Sequence, residues 1–354
     1  MPARLRLLFG VGWIFSPLYA GIMRLRAWMY RRGILFRQER FPVVVVSIGN
    51  LTLGGTGKTP LVMYVTRRLL GMGRSPAILS RGYGGKAKGA VNVVTDGKTI
   101  ALTAAEAGDE PLLLAESLPG VPILVGPKRV PLGRAAIDRF PVDTLVLDDG
   151  FQHLAVARDL DLVLFSARSL LGNGRVFPGG PLREPVAALH RAHAFVITGV
   201  DGENRGAAET FKGRLMAAFP GKPVFMGEYL PSALVHSEHG HPLAIDKGRH
   251  LPLHGFAGIA NPDSFRRTLE QGGFLLTGFT SFQDHHTYSA TDVAELVAAA
   301  RARKGVALIT TEKDYVKLAP FFGEFPILAL RVELFMEESF DRFLAECLDR
   351  LSLS

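Results

Sequence analysis

Apolar runs alternate with amphipathic stretches along most of this 354-residue chain. Val43–Ile48 is continuous, apolar and β-branched, the pattern of a parallel strand buried on both faces. A glycine-rich segment follows, then helical spacing from Pro60 to Leu70. Short apolar runs predict further strands at Ala77–Leu79, Val121–Val125, Thr144–Leu147, Leu162–Phe165 and Phe195–Thr198, and a helix over Ala104–Ser117. Strands separated by helices predict an α/β fold, a mostly parallel sheet flanked by helices. Around Pro223–Ile245 the pattern changes to short extended pieces about the polar turn Glu238-His239-Gly240, which reads as a hairpin or linker. The alternation then resumes with strand His254–Ala257, helix Asp263–Gln271, strand Phe274–Phe279, helix Thr291–Arg303 and strand Ala307–Thr310. The expected organisation is an N-terminal helix (1–35), a core (36–222), a hairpin or linker (223–247) and a smaller C-terminal α/β domain (248–354).

The N-terminal pattern differs from the rest. Leu7–Met23 carries no charge and is flanked by Arg4 and Arg6 before it and Arg24, Arg26, Arg31 and Arg32 after it. As a helix it would be ~25 Å long, short for a bilayer core of about 30 Å. Basic flanks on both sides lack the asymmetry of a spanning helix. We read it as a helix lying in a membrane interface, arginines on anionic lipid and Trp13, Tyr19, Trp28 and Tyr30 near the headgroups. A first helix packed on the core is the competing reading, with a span or secretory signal behind it.

Composition narrows the function classes. Lys and Arg outnumber Asp and Glu by 41 to 33, a net charge of +8. That charge suits nucleic acid, anionic membranes or phosphorylated substrates. No basic-aromatic stretch or basic helix-turn-helix supports nucleic acid. A single cysteine, Cys347, excludes a disulfide scaffold.

Candidate chemistry begins where Val43–Ile48 runs into Gly49-Asn50-Leu51-Thr52-Leu53-Gly54-Gly55-Thr56-Gly57-Lys58-Thr59-Pro60. Gly54, Gly55, Thr56 and Gly57 between a strand and a helix fit a phosphate-binding loop, and hence a P-loop NTPase core. Glycines let successive N–H groups curl around phosphates, and the following helix adds its positive end. Lys58 would reach the β and γ phosphates, and the Thr59 hydroxyl would bind Mg²⁺. The general pattern wants glycine where Thr52 stands. A second apolar strand ends in Asp148-Asp149, acids suited to organising the Mg²⁺ of bound ATP. Other polar groups follow strands, where open α/β sheets bind ligands. They are Ser80-Arg81-Gly82-Tyr83-Gly84-Gly85, Gly126-Pro127-Lys128-Arg129, the loop Phe177–Pro185 with Arg183 and Glu184, and Asp284-His285-His286. Gly108-Asp109-Glu110-Pro111 lies within the Ala104–Ser117 stretch.

Taken in order, GNLTLGGTGKTP, SRGYGG, GDEP, DDGFQH, FPGGPLREP, a DH pair and TEKD resemble the tetraacyldisaccharide 4′-kinase family, the lipid A 4′-kinases. The resemblance runs over nearly the whole chain, and the family's loop shares the Thr52 form. It implies ATP-dependent phosphorylation of the 4′-hydroxyl of a tetraacylated glucosamine disaccharide 1-phosphate. The product would be lipid IVA, made at the cytoplasmic face of the inner membrane without an obligatory protein partner. By resemblance, Lys58 and Thr59 bind ATP and Mg²⁺, Asp148 and Asp149 are the acidic pair at the metal, and Glu184 is a further metal- or nucleotide-site acid. Asp109 and His285 match the catalytic pair, and Arg81, Tyr83 and Arg129 match positions lining the lipid headgroup or its phosphate. With His285 in the second domain, joining the pair would require domain closure. A regulatory or metal-delivery GTPase is the alternative. Its guanine-reading motif wants Asn/Thr-Lys-x-Asp, whereas Lys313 stands directly beside Asp314 in Thr311-Glu312-Lys313-Asp314. A membrane scaffold with a relic loop would have no use for Lys58, Thr59, Asp148 and Asp149.

Overall fold

A computed structural model describes residues 9–34, 37–54, 56–236, 243–323 and 325–352. Arg4, Arg6, Leu7, Gly55 and the turn Glu238-His239-Gly240 lie outside the described residues. Among the described residues twelve strands form one sheet. In chain order they are β1 (Val44–Asn50), β2 (Pro76–Ser80), β3 (Asn92–Thr95), β4 (Ile123–Val125), β5 (Thr144–Asp148) and β6 (Leu160–Ser166), then β7 (Ala194–Thr198), β8 (Val224–His236), β9 (Leu253–Ala257), β10 (Leu276–Ser281), β11 (Ala307–Thr311) and β12 (Ile327–Met336). Their order across the sheet is β10-β9-β11-β12-β8-β7-β6-β1-β5-β2-β4-β3. Pairing is parallel except at β3–β4 and at β8–β12.

The strands predicted from apolar runs all appear, most of them extended by a residue or two or shifted, while Val121–Val125 shortens to Ile123–Val125. β1 lies centrally between β5 and β6, which explains its uninterrupted Val and Ile: both of its faces are covered. On one face the helix Lys58–Gly71 buries Leu61, Val62, Val65 and Leu69 against Val46, Ile48 and Val146. The opposite face packs Val45, Leu145 and Leu147 against Leu132 and Ala136 of the helix Arg129–Arg139.

The segment read as a hairpin or linker holds β8, a long strand that pairs with β7 on one side and β12 on the other. Leu234 and Leu243 bond each other's backbones in both directions, so the chain does turn back there. Residues 338 onwards, placed by sequence in the C-terminal domain without an assigned element, form the helix Glu338–Ser352, which returns to the first core. Phe340, Leu344 and Leu348 are buried with Leu61 and Val65, and the Tyr64 hydroxyl donates to Asp341 at 2.7 Å.

The helix Ser16–Arg32 runs past Met23, so its arginines lie on it rather than beyond it. Ser16 anchors one face: its hydroxyl donates to the Val176 carbonyl at 2.7 Å and accepts from the Gly179 N–H at 2.8 Å. The Tyr19 ring meets Phe177 edge-on. Val11, Ile14, Leu18, Ile22 and Leu25 are exposed, Leu18 by 67%. Among the described residues no helix is long and apolar enough to cross a membrane.

The expected helix Ala104–Ser117 is two helices, Ala104–Ala107 and Asp109–Ser117, broken at Gly108. Gly108 has φ 93° and ψ 155°, a conformation that strains any residue with a side chain. A Cβ there would also stand 2.5 Å from the Tyr83 carbonyl oxygen. The break makes Asp109 the first residue of the second helix. Gly108→Ala is expected to cost about 1–3 kcal/mol, from left-handed strain and this clash together. Urea unfolding of the variant beside the parent protein measures it.

Candidate active site

β1 leads into the phosphate loop, and neighbouring strands tie the loop down. The Thr198 hydroxyl on β7 donates to the Thr56 carbonyl at 2.7 Å, and the Tyr229 hydroxyl on β8 donates to the Gly57 carbonyl at 3.3 Å. Gly57 has φ 76°, and a Cβ on it would overlap the Tyr229 hydroxyl, so this turn needs glycine twice over. Burial pushes the Tyr229 phenol up to about 12, which keeps it a donor. Neither Thr198 nor Tyr229 shows a motif in sequence, because each acts from a strand far along the chain. Lys58 opens the helix that follows. Its Nζ donates to Asn50 Oδ1 at 3.2 Å and stands 3.5 Å from Asp149 Oδ1. Thr59 follows it on the first turn of the same helix.

Asp148 ends β5 and is buried. Its Oδ2 accepts from the Ser80 hydroxyl at 2.7 Å, while its Oδ1 is buried with no hydrogen-bond partner among the described residues. Burial, and then the nearby Glu110 charge, push this carboxyl up to about 6. A buried oxygen without a donor is costly, and a cation satisfies it. Asp149, at φ 52°, accepts from Arg183 Nη1 at 3.0 and 2.8 Å. Burial raises the Asp149 carboxyl, but Lys58 and Arg183 together outweigh burial and hold it below the usual range. Among the described residues no three His, Cys, Asp or Glu side chains form a metal cage of their own. Mg²⁺ characteristically combines one or two carboxylates with substrate phosphates, and the pair Asp148 and Asp149 fits that use.

Glu184 and Arg129, two further expected site residues, are buried and already paired. Both Glu184 carboxylate oxygens accept from Arg191 at 3.0 Å, and that guanidinium lies over the Phe151 ring. Glu184 therefore braces the turn after Asp149. Arg129 does not line an open surface. It is 2% exposed, and its Nη2 donates to the Asp148 carbonyl at 2.8 Å and its Nη1 to the Gly126 carbonyl. Burial pulls the guanidinium down to about 10, against the pull of Asp148 and Asp149.

Asp109 and His285 stand together without any closure: His285 Nδ1 is 3.2 Å from Asp109 Oδ2. His285 has φ 60° in the turn after β10, and its N–H donates to the Gly258 carbonyl. The exposed Tyr83 ring leans on the imidazole, centroids 5.3 Å apart. Tyr83 and Arg81 line an open cavity of 590 Å³ with Lys88 and Asn92. Lys313, from the motif that fails as a guanine reader, places its Nζ 3.3 Å from His285 Nε2 and 3.5 Å from Glu110.

A family model for tetraacyldisaccharide-1-P 4′-kinases matches residues 9–349. The chain belongs to this family. It is 46% identical over 340 residues to the tetraacyldisaccharide 4′-kinase of Desulfotalea psychrophila, covering 96% of each chain. It is 42% identical over 323 residues to that of Geobacter metallireducens, covering 91% of this chain and 92% of the relative. The crystal structure of LpxK from Aquifex aeolicus, in complex with ATP, superposes with a TM-score of 0.77 at 32% identity. The match covers 94% of this chain and 97% of that one. This kinase fold therefore carries a mostly parallel sheet over its whole length, with helices on both faces.

The run Asp148–His153 holds one more group with a measurable consequence. Burial, and then the Arg129 charge, push the His153 imidazole down to about 4. The unfolded chain, at about 6.5, takes up the proton first. Stability from this group is complete above pH 6.5 and is lost as pH falls towards 4, by up to about 3 kcal/mol. Denaturant unfolding at pH 7 and pH 5 is expected to show this slope in the parent protein and a flatter one in His153→Gln.

Proposed function

We propose that this chain transfers the γ-phosphoryl group of ATP to the 4′-hydroxyl of a tetraacylated glucosamine disaccharide 1-phosphate, the step that forms lipid IVA in lipid A biosynthesis. One observation carries the reading: a family match over residues 9–349 coincides with a phosphate loop and with an Asp109–His285 contact of 3.2 Å. The backbone of Gly54, Thr56 and Gly57 cradles the ATP phosphates, and Lys58 leaves Asn50 and Asp149 to meet them. Thr59, Asp148 and Asp149 would hold Mg²⁺, which neutralises charge on the transferred group and the departing ADP when bound.

The transfer forms one P–O bond to the sugar and breaks the bond to the β-phosphate oxygen. The hydroxyl proton has to go to a base, late in a loose transition state. Asp109 accepts it. Both neighbouring contacts of Asp109 fall on Oδ2, which leaves Oδ1 for the hydroxyl. His285 orients the carboxylate. Arg81 and Tyr83 face the cavity beside this pair and contact the sugar headgroup. Arg129 acts beneath Asp148 rather than on substrate, and Glu184 acts through Arg191.

The lipid acceptor sits in a bilayer, so the enzyme has to reach one. The exposed face Val11, Ile14, Leu18, Ile22 and Leu25, with Arg24, Arg31 and Arg32 on the same helix, suits an anionic interface on the cytoplasmic side of the inner membrane. We assign residues 36–222 and 248–354 to two blocks of the one sheet, joined through β8 within 223–247, with the helix Glu338–Ser352 of the second packed on the first.

Labelled ATP and the tetraacyl disaccharide 1-phosphate in detergent are expected to give a 4′-phosphorylated lipid; no product would overturn the assignment. Asp109→Asn and His285→Ala are each expected to lower kcat about 10²–10⁴-fold while ATP binding stays within a few-fold. Near-parent turnover in both would remove the pair from the mechanism. Ile14→Asp with Leu18→Asp changes only exposed positions. It is expected to cut flotation with anionic vesicles while the folded state keeps its Tm.

A further inference from the structure

The motif Thr311-Glu312-Lys313-Asp314 continues to Lys317, and nothing above gives Lys317 and Asp314 a task. Both are nearly sealed from solvent: the Lys317 side chain is 8% exposed and that of Asp314 0%. Three acceptors surround the Lys317 ammonium. Asp314 Oδ1 is 2.8 Å away, the His286 carbonyl 3.1 Å and Asp109 Oδ2 3.5 Å. The Tyr288 ring lies 5.3 Å off and closes another side. Asp314 is fixed in turn, its Oδ2 accepting from the Gly258 N–H at 2.8 Å and the Thr311 hydroxyl at 3.0 Å. Gly258 also accepts the His285 N–H, so one residue registers both branches. Between the two, Val316 packs on Leu112 and Leu113 of the helix that begins at Asp109.

We infer that Lys317 is a positioning residue for the base: with Asp314 it clamps Asp109 Oδ2, the same oxygen that His285 contacts. This rests on Asp109 being the base. Such a rigid, desolvated ammonium does two things. It holds the carboxylate in one rotamer, so that Oδ1 is presented to the acceptor hydroxyl. It also brings a positive charge to within 3.5 Å of that carboxylate. Asp314 is spent on this clamp, which accounts for its burial and for the failure of the guanine-reading register.

The test is a double-mutant cycle on the full-length enzyme with ATP and the lipid acceptor. Lys317→Met is expected to lower kcat about 10–100-fold with both KM values within about threefold, and Lys317→Arg is expected to recover most of the loss. In an Asp109→Asn background the same Lys317→Met change is expected to cost less than about twofold more. An equal further loss in that background would make Lys317 merely structural and overturn the inference. Parent-like kcat in Lys317→Met, with Asp109→Asn impaired, would overturn it as well and leave Asp109 in place. Parent-like kcat in Asp109→Asn would instead overturn the reading of Asp109 itself. If Lys317→Met fails to fold because Asp314 is left unpaired, Asp314→Asn/Lys317→Met removes both charges, and the same loss, insensitive to Asp109→Asn, is expected from it.

Discussion

Everything at the candidate site depends on the pairing of β8 with β12. These strands join over a long antiparallel ladder, from Leu328 opposite His236 to Met336 opposite Gly227. One parallel block carries the phosphate loop and Asp148, and the other carries His285, Lys313 and Lys317. Because one hydrogen-bonded sheet contains both, their relation is set by backbone bonds rather than by a flexible connection. The helix Glu338–Ser352 reinforces it by returning from β12 to bury Phe340, Leu344 and Leu348 in the first core. β8 also reaches the nucleotide side directly through Tyr229 on Gly57. The same strand thus spaces the blocks and holds the loop.

Within that frame the site concentrates charge where water is scarce. Asp148 keeps one oxygen unpartnered, Arg129 is buried beneath it, and Lys58 leans on Asp149. Buried ions of this kind weaken a fold unless they are paired. Each cation here spans two roles: Arg183 pairs Asp149 and touches Gln152, and Lys313 lies between His285 and Glu110. Glu110 in turn pushes Asp148 up. The helix Asp109–Ser117 therefore links Asp148 to the contact between Asp109 and His285, and the Gly108 break sets where it starts.

Much of this was legible in sequence, for physical reasons. Doubly covered strands read clearly as apolar runs, and the phosphate loop is a local motif whose neighbours along the chain supply its chemistry. No element was assigned from sequence beyond Ala307–Thr310, where β12 and the helix Glu338–Ser352 lie, nor at two less regular places. β3 is a short edge strand, and the helix Arg129–Arg139 contains Pro131 and Gly133 and buries little beyond Leu132 and Ala136. The helix over Ala104–Ser117 was drawn whole because apolar spacing cannot see a single φ. Pairings are not visible in the spacing of residue types: Glu184 takes Arg191 seven residues on, and Arg129 takes the Asp148 carbonyl. Thr198, Tyr229 and Lys317 look like nothing until the sheet brings them in. Closure was expected for Asp109 and His285, whereas the turn after β10 and Val316 on Leu112 already hold them in contact.

The central claim is that the two blocks of one sheet present Asp109 Oδ1 to the acceptor hydroxyl while the phosphate loop presents the γ-phosphorus. A crystal structure with an unhydrolysable ATP analogue and the tetraacyl disaccharide 1-phosphate measures this directly. The account predicts the 4′-hydroxyl about 3 Å from Asp109 Oδ1, facing the γ-phosphorus on the side away from the bridging atom. A hydroxyl held by some other base, with Asp109 turned away from it, would contradict the account.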